Sequence, residues 1–378
     1  MDNAHMHDER LFALPHPRRF ALMNYLPMLL EVGKSLAIDF GPLLHDPGAG
    51  YHDAVCALED NPGFRRFARD MDRSPGGARF GALKSEMMAA RFAALPGSLF
   101  QTTDALEALL GETRLPEDIP CGVLRSPYPC LFIEFGETRN SPLQVMNPIS
   151  GAHVLEGVYV MEDAVSVRLG DNIPGWMNGL AAEGEVLRVI NLDFIGSPLG
   201  KENLADDAHQ VMTLYLPDDE EPLSAAFDRC VSSAWSHGGG TRGAAERIDE
   251  QCFRACLWHL ACALLYIQSS EVRREWLPEE SEARAALGRL GAKKRARAER
   301  RLPRLYDRVR VGPQALPPEL VGGGGGGAVR PHWRRGHFRH QRVGPGREKR
   351  EVRYIAPTLV RADRISDTPP PTKPYSVR

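Results

Sequence analysis

The residues best suited to chemistry lie near the carboxyl end, where basic and aromatic side chains interleave in the run 330–341. Arginine neutralises phosphate and releases counterions, and an aromatic ring can stack on an unpaired base. We therefore predict a nucleic-acid-binding surface. Its predicted contact residues are Arg330, His332, Trp333, Arg334, Arg335, His337, Phe338, Arg339, Arg342 and Arg347. The alternative is a solvated tail whose aromatic rings pack on the rest of the chain.

The charge of the chain is distributed unevenly. Residues 281–378 contain 24 Lys/Arg and 8 Asp/Glu, a net charge of +16, whereas the whole chain carries −2, so residues 1–280 carry −18. An acidic body joined to a basic segment is typical of proteins whose segment meets nucleic acid or another polyanion. A basic segment of this kind could also dock on the acidic body.

The sequence gives little support to a metal or cofactor site. The histidines of the basic run, His332, His337 and His340, have no cysteine or carboxylate at a zinc-binding spacing. The chain also lacks a phosphate-binding loop and a dinucleotide fingerprint. We therefore predict no metal and no cofactor.

The sequence contains no nucleophile elbow and no His-Glu-x-x-His motif, so we assign no catalytic residue. Glu134, Glu162 and Asp193 lie on or beside predicted strands. If these three carboxylates converged, they would form the metal site of a nuclease. A metal-dependent ribonuclease therefore stays an alternative, but exposed or edge positions are the better interpretation of the three residues.

The spacing of apolar residues predicts an α+β fold. It has a helical N-terminal part, a mainly antiparallel sheet with packed helices, and a basic C-terminal β-hairpin tail. Helices are predicted at residues 18–37, 51–73, 80–95, 105–110, 224–235 and 244–268. Strands are predicted at residues 122–124, 130–135, 154–161, 186–194 and 211–216. No amphipathic helix separates these strands, which favours antiparallel pairing over βαβ units.

We predict six regions along the chain. They are a helical region (1–115), an α+β core (116–275), a basic helix and strand (276–321), a Gly-rich tether (322–329), a basic-aromatic hairpin module (330–365) and a disordered end (366–378). The tether contains six consecutive glycines, which form a flexible coil. The hairpin turn is placed at Gly344-Pro345-Gly346, before a strand at 351–360.

The sequence predicts a cytoplasmic protein. Its seven cysteines include no Cys-x-x-Cys pair, which indicates a reduced compartment. The apolar run 252–267 contains Arg254 and is shorter than the roughly 20 residues that a bilayer requires. We therefore expect no membrane partner.

Three stretches resemble a known family. The first is Arg330-Pro331-His332-x-Arg334-Arg335-Gly336-His337-Phe338, followed by a Gly-rich turn and a basic strand that ends near Val360. The others are residues 115–134, with Leu-Pro-Glu-Asp-Ile-Pro and Pro-Tyr-Pro-Cys-Leu-Phe-Ile-Glu, and the apolar helix at 256–262. Together they resemble the second type V-A anti-CRISPR family. The matched tail positions form a shared motif, and their role as polyanion contacts is our inference from their chemistry.

The resemblance implies a regulator from a phage or another mobile element, acting in the cytoplasm of a bacterial host cell. Such proteins lower the level of the type V CRISPR effector nuclease by recognising its nascent polypeptide during translation, and degradation of the message follows. We therefore expect the nascent effector polypeptide and RNA or the ribosome as partners, and we favour a binding protein over an enzyme. The alternatives are the metal-dependent ribonuclease and a plasmid nucleic-acid-binding protein.

Overall fold

A computed structural model describes residues 14–22, 25–73, 80–95, 97–116, 118–147, 150–168, 173–197, 207–236, 244–269, 272–315, 332–334, 336–355 and 358–360. At some of these positions it describes the backbone alone. The predicted tether at 322–329 and the predicted disordered end at 366–378 lie outside the described residues.

The first part of the chain is helical, as predicted. Its helices are α1 (His16–Leu22), α2 (Tyr25–Leu36), α3 (Gly41–Leu44), α4 (Tyr51–Asp60), α5 (Pro62–Arg73) and α6 (Phe80–Ala94). The helix predicted at 51–73 is divided at Asn61, whose backbone is extended. Oδ1 of Asn61 accepts hydrogen bonds from the N–H groups of Gly63 at 2.8 Å and Phe64 at 3.2 Å. Asn61 therefore ends α4 and caps α5.

A mixed sheet follows these helices. Its strands are β1 (Ser98–Thr102), β3 (Cys130–Glu134), β4 (Gln144–Asn147), β5 (Gly151–Ser166), β6 (Val186–Ser197), β7 (Ala208–Leu216), β8 (Arg274–Pro278) and β9 (Asp307–Val311), whereas β2 (Thr113–Arg114) belongs to a smaller sheet. The strand order is β7-β6-β5-β3-β1-β9-β8, with β4 paired to β5. The later helices are α7 (Asp104–Gly111), α8 (Leu223–Ser236), α9 (Ala244–Gln268), α10 (Glu279–Leu287) and α11 (Ala292–Glu299).

Most strand pairs are antiparallel, as predicted, but β1 lies parallel to both β3 and β9. Parallel neighbours need a long connection, and α7 lies in the connection between β1 and β3. Thr103 begins α7, since its Oγ1 accepts a hydrogen bond from the N–H of Leu106 at 3.1 Å. The parallel pair of β1 and β3 is therefore connected through a capped helix, which lies within the region predicted to be helical.

The sheet separates two hydrophobic cores. In β5, Val158 and Val160 belong to the core formed with α7, α8 and α9. Tyr159 and Met161 belong to the core formed with the N-terminal helices. Successive residues of a strand point to opposite faces, so the sheet is the middle layer of three. This burial on both sides explains why β3 consists of five buried residues in a row.

The structure also departs from the predicted elements elsewhere. The strand predicted at 122–124 is wrong, because Cys121–Val123 form a 3-10 turn. The strands β1, β2, β4 and β8 were not predicted. The basic helix expected within the region 276–321 is divided into α10 and α11, and Gly288 and Gly291 lie at the break, where glycine weakens a helix.

The basic carboxyl end forms four strands. They are β10 (His332–Arg334), β11 (Gly336–Val343), β12 (Lys349–Ile355) and β13 (Thr358–Val360). β11 and β12 form an antiparallel hairpin, and β10 pairs with β13. This confirms the predicted basic C-terminal hairpin. Among the described residues, no helix is long and apolar enough to cross a membrane.

Candidate nucleic-acid interface

The hairpin of β11 and β12 turns at the predicted Gly-Pro-Gly sequence. Gly344 has φ +84° and Gly346 has φ +71°, a region that glycine adopts without steric cost. The register places His337 opposite Ile355 at one end and Val343 opposite Lys349 at the other. Every second residue of β11 therefore points to one face of the hairpin.

Two aromatic residues anchor the hairpin to the body. Phe338 and Tyr354 lie opposite each other with ring centroids 5.0 Å apart, and Phe338 is only 2% exposed. The Tyr354 ring packs edge-on against Tyr266 of α9 at 5.4 Å. Its hydroxyl lies 3.0 Å from Oγ1 of Thr113. Burial raises the pKa of Tyr354 to about 12, so this hydroxyl keeps its proton at neutral pH.

Backbone pairing adds to this anchor. β11 lies parallel to β2, with Gly336 opposite Thr113 and His337 opposite Arg114. The three strands form a small sheet in the order β12-β11-β2. The orientation of the hairpin on the body is therefore fixed by strand pairing as well as by buried rings.

The cations near the turn point into solvent. Arg339, Arg342, Arg347 and Lys349 are exposed. Nη2 of Arg339 donates a hydrogen bond to Oε1 of Gln341 at 3.1 Å. Within the described part of the chain, no carboxylate forms an ion pair with any of these four cations. Their charge is therefore available to a partner.

The register also places like charges opposite each other. Arg339 lies opposite Arg353, and Arg342 lies opposite Arg350. Like charges at directly opposed positions destabilise a strand pair. The two pairs lie on opposite faces of the hairpin, and a phosphate bound at either pair would reduce its repulsion. The arrangement is suited to phosphate contact.

The predicted contact residues fall into three groups. Arg339, Arg342 and Arg347 are exposed, whereas His337 is half-buried and Phe338 is buried in the core. His332, Trp333 and Arg334 lie in β10, where the backbone alone is described, and Arg330 and Arg335 lie outside the described residues. The buried ring of Phe338 matches the alternative in which aromatic residues pack on the rest of the chain, and it is not available for stacking on a base.

The predicted contact residues omit the cations of the second strand of the hairpin. Lys349 is exposed at the start of β12, and Arg353 lies opposite the predicted residue Arg339. The signal for both was present, since a strand was expected at 351–360 and a turn at 344–346. Aligning the two strands about that turn would have placed these cations beside the predicted ones.

A groove lies at another part of the body, at the ends of β5, β6 and β7. Its volume is about 600 Å³. Two exposed apolar side chains line it: Tyr128 is 42% exposed and Val186 is 72% exposed. Pro127, Pro129 and Pro217 line the same groove. An open groove with an aromatic and proline-rich wall has the character of a surface that takes an extended peptide.

Ion pairs build the floor of the groove. Arg188 is 8% exposed, its Nη2 donates to the carbonyl oxygen of Cys121 at 2.7 Å, and its Nε donates to Oδ1 of Asp219 at 3.0 Å. Nη1 of Arg125 lies 3.4 Å from Oε1 of Glu162. The groove is lined by four carboxylates, Glu162, Asp163, Asp218 and Asp219, but by two arginines. Its net charge is therefore negative, opposite to that of the hairpin.

Comparison with known proteins shows the family of the chain. A model of the AcrVA2-like family, anti-CRISPR type V subtype A2, matches residues 100–362. The chain belongs to this family. A crystal structure of AcrVA2 is similar at 15% sequence identity, with 91% of this chain and 99% of that chain covered and a TM-score of 0.44. No curated protein matches the chain.

The region of the chain that matches the family model begins in β1 and ends after β13. It therefore contains the groove and the hairpin and leaves out the helices α1–α6. The three stretches that resemble the family in sequence all lie within the matched range.

The carboxylates considered for a nuclease do not converge in this AcrVA2-like protein. Glu134 is 2% exposed and accepts hydrogen bonds from Arg139 and Tyr306 at 3.0 and 3.2 Å. Asp193 is fully buried and bonded to Ser85, whereas Glu162 lies at the groove. In the described part of the chain, no group of three or more His, Cys, Asp or Glu residues could hold a metal ion.

The buried thiols are unsuited to nucleophilic chemistry. Burial raises the pKa of Cys121, Cys130, Cys256 and Cys262 to about 12, so each stays a thiol at neutral pH. The thiolate is the nucleophile, and a raised pKa suppresses it. These cysteines therefore act as small apolar side chains of the two cores.

Proposed function

We propose that this AcrVA2-like protein lowers the expression of a type V CRISPR effector nuclease by binding both the effector's nascent polypeptide and RNA or the ribosome. The proposal joins family membership to two surfaces of opposite charge on one body. The hairpin would contact phosphate, and the groove would hold the polypeptide. The single observation that carries it is the set of exposed cations on a hairpin that aromatic residues fix to the body.

The hairpin supports contact with RNA because its cations are held in place before a partner arrives. An arginine on a mobile tail loses conformational freedom on binding, which weakens the complex. Here Phe338 and Tyr354 fix the strands that carry Arg339 and Arg342. The hairpin therefore loses little further freedom when phosphate binds.

The groove supports contact with a polypeptide. Tyr128 and Val186 expose apolar surface that a peptide side chain would cover. The floor is rigid, since Arg188 is held by backbone carbonyl groups as well as by Asp219. Apolar contact and charge would both favour a segment that carries apolar and cationic residues.

Two surfaces on one folded body make the response selective. A nascent chain and its message occur together only during translation, so a protein that binds both weakly would accumulate there. Simultaneous binding of linked sites raises the overall affinity by a factor of about 10² to 10⁴ over either contact alone. Loss of either surface should therefore abolish most of the effect in cells.

The proposal is tested by measuring effector protein and effector message in cells that express the inhibitor. The hairpin variant R339Q/R342Q/R347Q should restore both to the level seen without inhibitor. The matched control K34Q/R65Q/R168Q removes three cations that are exposed and paired with carboxylates elsewhere. The control should act as the unaltered protein does. Full potency of the hairpin variant would contradict the proposed RNA contact.

The groove is tested with the variant Tyr128→Ala/Val186→Ser, which alters exposed side chains. It should lose binding to ribosomes that carry the nascent effector and keep binding to free RNA. Leu180→Ser is the control, because Leu180 is also exposed, at 46%, and does not line the groove. Equal binding of nascent chains by the groove variant and the control would exclude the groove as the polypeptide site.

A further inference from the structure

A second cationic surface lies outside the hairpin, on α11 and the 3-10 turn Leu302–Arg304 that follows it. We call it the α11 ridge. Its cations are Lys293, Lys294, Arg295, Arg297, Arg300, Arg301 and Arg304, and all of them are exposed. Glu299 is the one acidic residue between positions 292 and 304. The ridge therefore carries a net charge of +6 on 13 consecutive residues.

The helix α11 of the ridge does not contribute to the core. α11 contains no buried residue, although most helices of globular proteins are stabilised by an apolar face. Lys293 and Arg297, like Arg297 and Arg301, are separated by four positions, a spacing at which like charges repel along a helix. The like charges of the ridge therefore repel one another, and no apolar face of α11 offsets this repulsion.

The segment 279–304 contains α10 and the α11 ridge, and both of its ends are nevertheless fixed to the body. Oδ1 of Asp307 accepts hydrogen bonds from the N–H groups of Glu280 at 2.9 Å and Ser281 at 3.0 Å, which holds the first turn of α10. After α11, Leu302 is buried at 8% exposure. Arg18 of α1 donates from Nη2 to the carbonyl oxygen of Leu302 at 3.2 Å. The helix between these anchors is thus presented at the surface in a defined position.

The charge of the ridge is not neutralised from within. In the part of the chain that the structure describes, Arg295 forms the one ion pair of the ridge, with Glu299 at 3.0 Å. Two of the three acidic residues at the start of α10 are paired elsewhere: Glu280 pairs with Arg18 at 3.0 Å and Glu279 pairs with Arg308 at 3.1 Å. A bound polyanion would reduce the repulsion among the cations of the ridge.

We infer that the α11 ridge is a second binding site for the phosphate backbone of RNA. The inference rests on the proposed function, in which RNA is a partner. The ridge contains no aromatic residue, so it has no ring to stack on a base and would bind without regard to sequence. RNA matches the ridge better than an acidic protein does, because its charges recur at every nucleotide of the backbone.

The test measures binding of the full chain to a short labelled single-stranded RNA across a range of salt concentrations. The ridge variant K293Q/R297Q/R301Q should lower affinity roughly tenfold at about 0.1 M salt and reduce the slope of log K against log salt by about 2, since each phosphate contact contributes about 0.7. The control K34Q/R65Q/R168Q changes net charge equally and should leave the slope unchanged. Because α11 buries no side chain, thermal melting should be the same for both variants.

The hairpin variant R339Q/R342Q/R347Q in the same assay separates this inference from the proposed function. If the hairpin variant keeps full affinity while the ridge variant loses it, the inference holds and the hairpin contact fails. If the ridge variant and the control share one slope, the inference is overturned, whatever the hairpin variant does. Equal competition by poly-L-glutamate and by unlabelled RNA at matched charge would also overturn it, in favour of an acidic protein partner.

Discussion

Arginine has opposite roles in the hairpin and in helix α1. Arg342 of the hairpin is exposed, whereas Arg19 of α1 is 2% exposed. Nη2 of Arg19 lies 2.8 Å from Oε2 of Glu156 and 2.7 Å from Oδ2 of Asp207. Two carboxylates pair with the buried guanidinium of Arg19, whereas the exposed guanidinium of Arg342 keeps its hydrogen-bond donors for a partner. Burial and pairing, rather than residue type, separate the arginines that hold the fold from those available for binding.

The buried site joins parts of the chain that are distant in sequence. Glu156 lies in β5 and Asp207 directly precedes β7, so Arg19 connects one N-terminal helix to two regions of the sheet. His16 adds a further bond, since its Nδ1 lies 2.9 Å from the hydroxyl of Tyr159. The nearby Arg139 and Arg19 hold the pKa of Glu156 at about 2 against the opposing effect of burial. Glu156 is therefore ionised at neutral pH.

Removal of Arg19 should have the largest effect on stability. Arg19→Met leaves Asp207 buried without its arginine partner and leaves Glu156 with Arg139 alone, which costs about 4 kcal/mol in comparable sites. The measurement is the free energy of unfolding in urea. The triple variant R19M/E156Q/D207N removes the uncompensated charge and should recover much of the loss. If Arg19→Met lowered the free energy of unfolding no more than substitution of an exposed arginine does, Arg19 would not hold the fold as described.

Loss of the hairpin anchor should come next. Phe338→Ala removes a ring that is 2% exposed and leaves a cavity between the hairpin and the body, at a cost of about 3 kcal/mol. Hydrogen exchange should show β11 and β12 opening while β5 and β6 stay protected. RNA affinity should also fall, although no cation is removed. Unchanged exchange in the hairpin would mean that Phe338 is not its anchor.

Acidification should weaken the buried site. The pKa of Glu156 is lowered from 4.5 to about 2, so its contribution is complete above pH 4.5 and is lost as pH falls toward 2. Burial raises the pKa of Asp207, and this group gives an opposite, partly offsetting change. The lowered pKa of Glu156 alone corresponds to a loss of about 3 kcal/mol between pH 5 and pH 2, and the opposite change at Asp207 reduces the net loss. In Glu156→Gln the loss of stability over this pH range should be smaller. A pH profile identical to that of the unaltered protein would contradict the lowered pKa of Glu156.

The smallest change in stability is expected from the exposed cations. R339Q/R342Q/R347Q should alter the free energy of unfolding by less than about 0.5 kcal/mol, since exposed positions rarely contribute more. A slight gain is the expected direction, because Arg339 and Arg342 each lie opposite another arginine. Chemical denaturation measures this directly. A loss of several kcal/mol would show that these cations support the fold.

Local patterns in the sequence predicted much of the fold. The apolar helix expected at 244–268 agrees with α9 at both ends, because its pattern is complete within the helix itself. The long strands β5, β6 and β7 were predicted for the same reason. The strand β1 was missed because its identity depends on β3 and β9, which pair with it from positions far along the chain.

The candidate site was harder to predict, because burial depends on distant partners. Phe338 and Arg342 both occur in the basic-aromatic run, yet the ring is in the core and the cation is in solvent. The residues that decide this are Tyr266 and Thr113, neither of which is near the hairpin in sequence. The network of Arg19 with Glu156 and Asp207 has no local signal for the same reason.

If the exposed hairpin cations bind RNA, the salt dependence of RNA affinity should report their contacts. The affinity of R339Q/R342Q/R347Q for single-stranded RNA should be measured over a salt series beside the unaltered protein and K34Q/R65Q/R168Q. We expect a salt slope smaller by about 2 for the hairpin variant alone, with an unchanged unfolding transition. Equal slopes and affinities for all three proteins would contradict it.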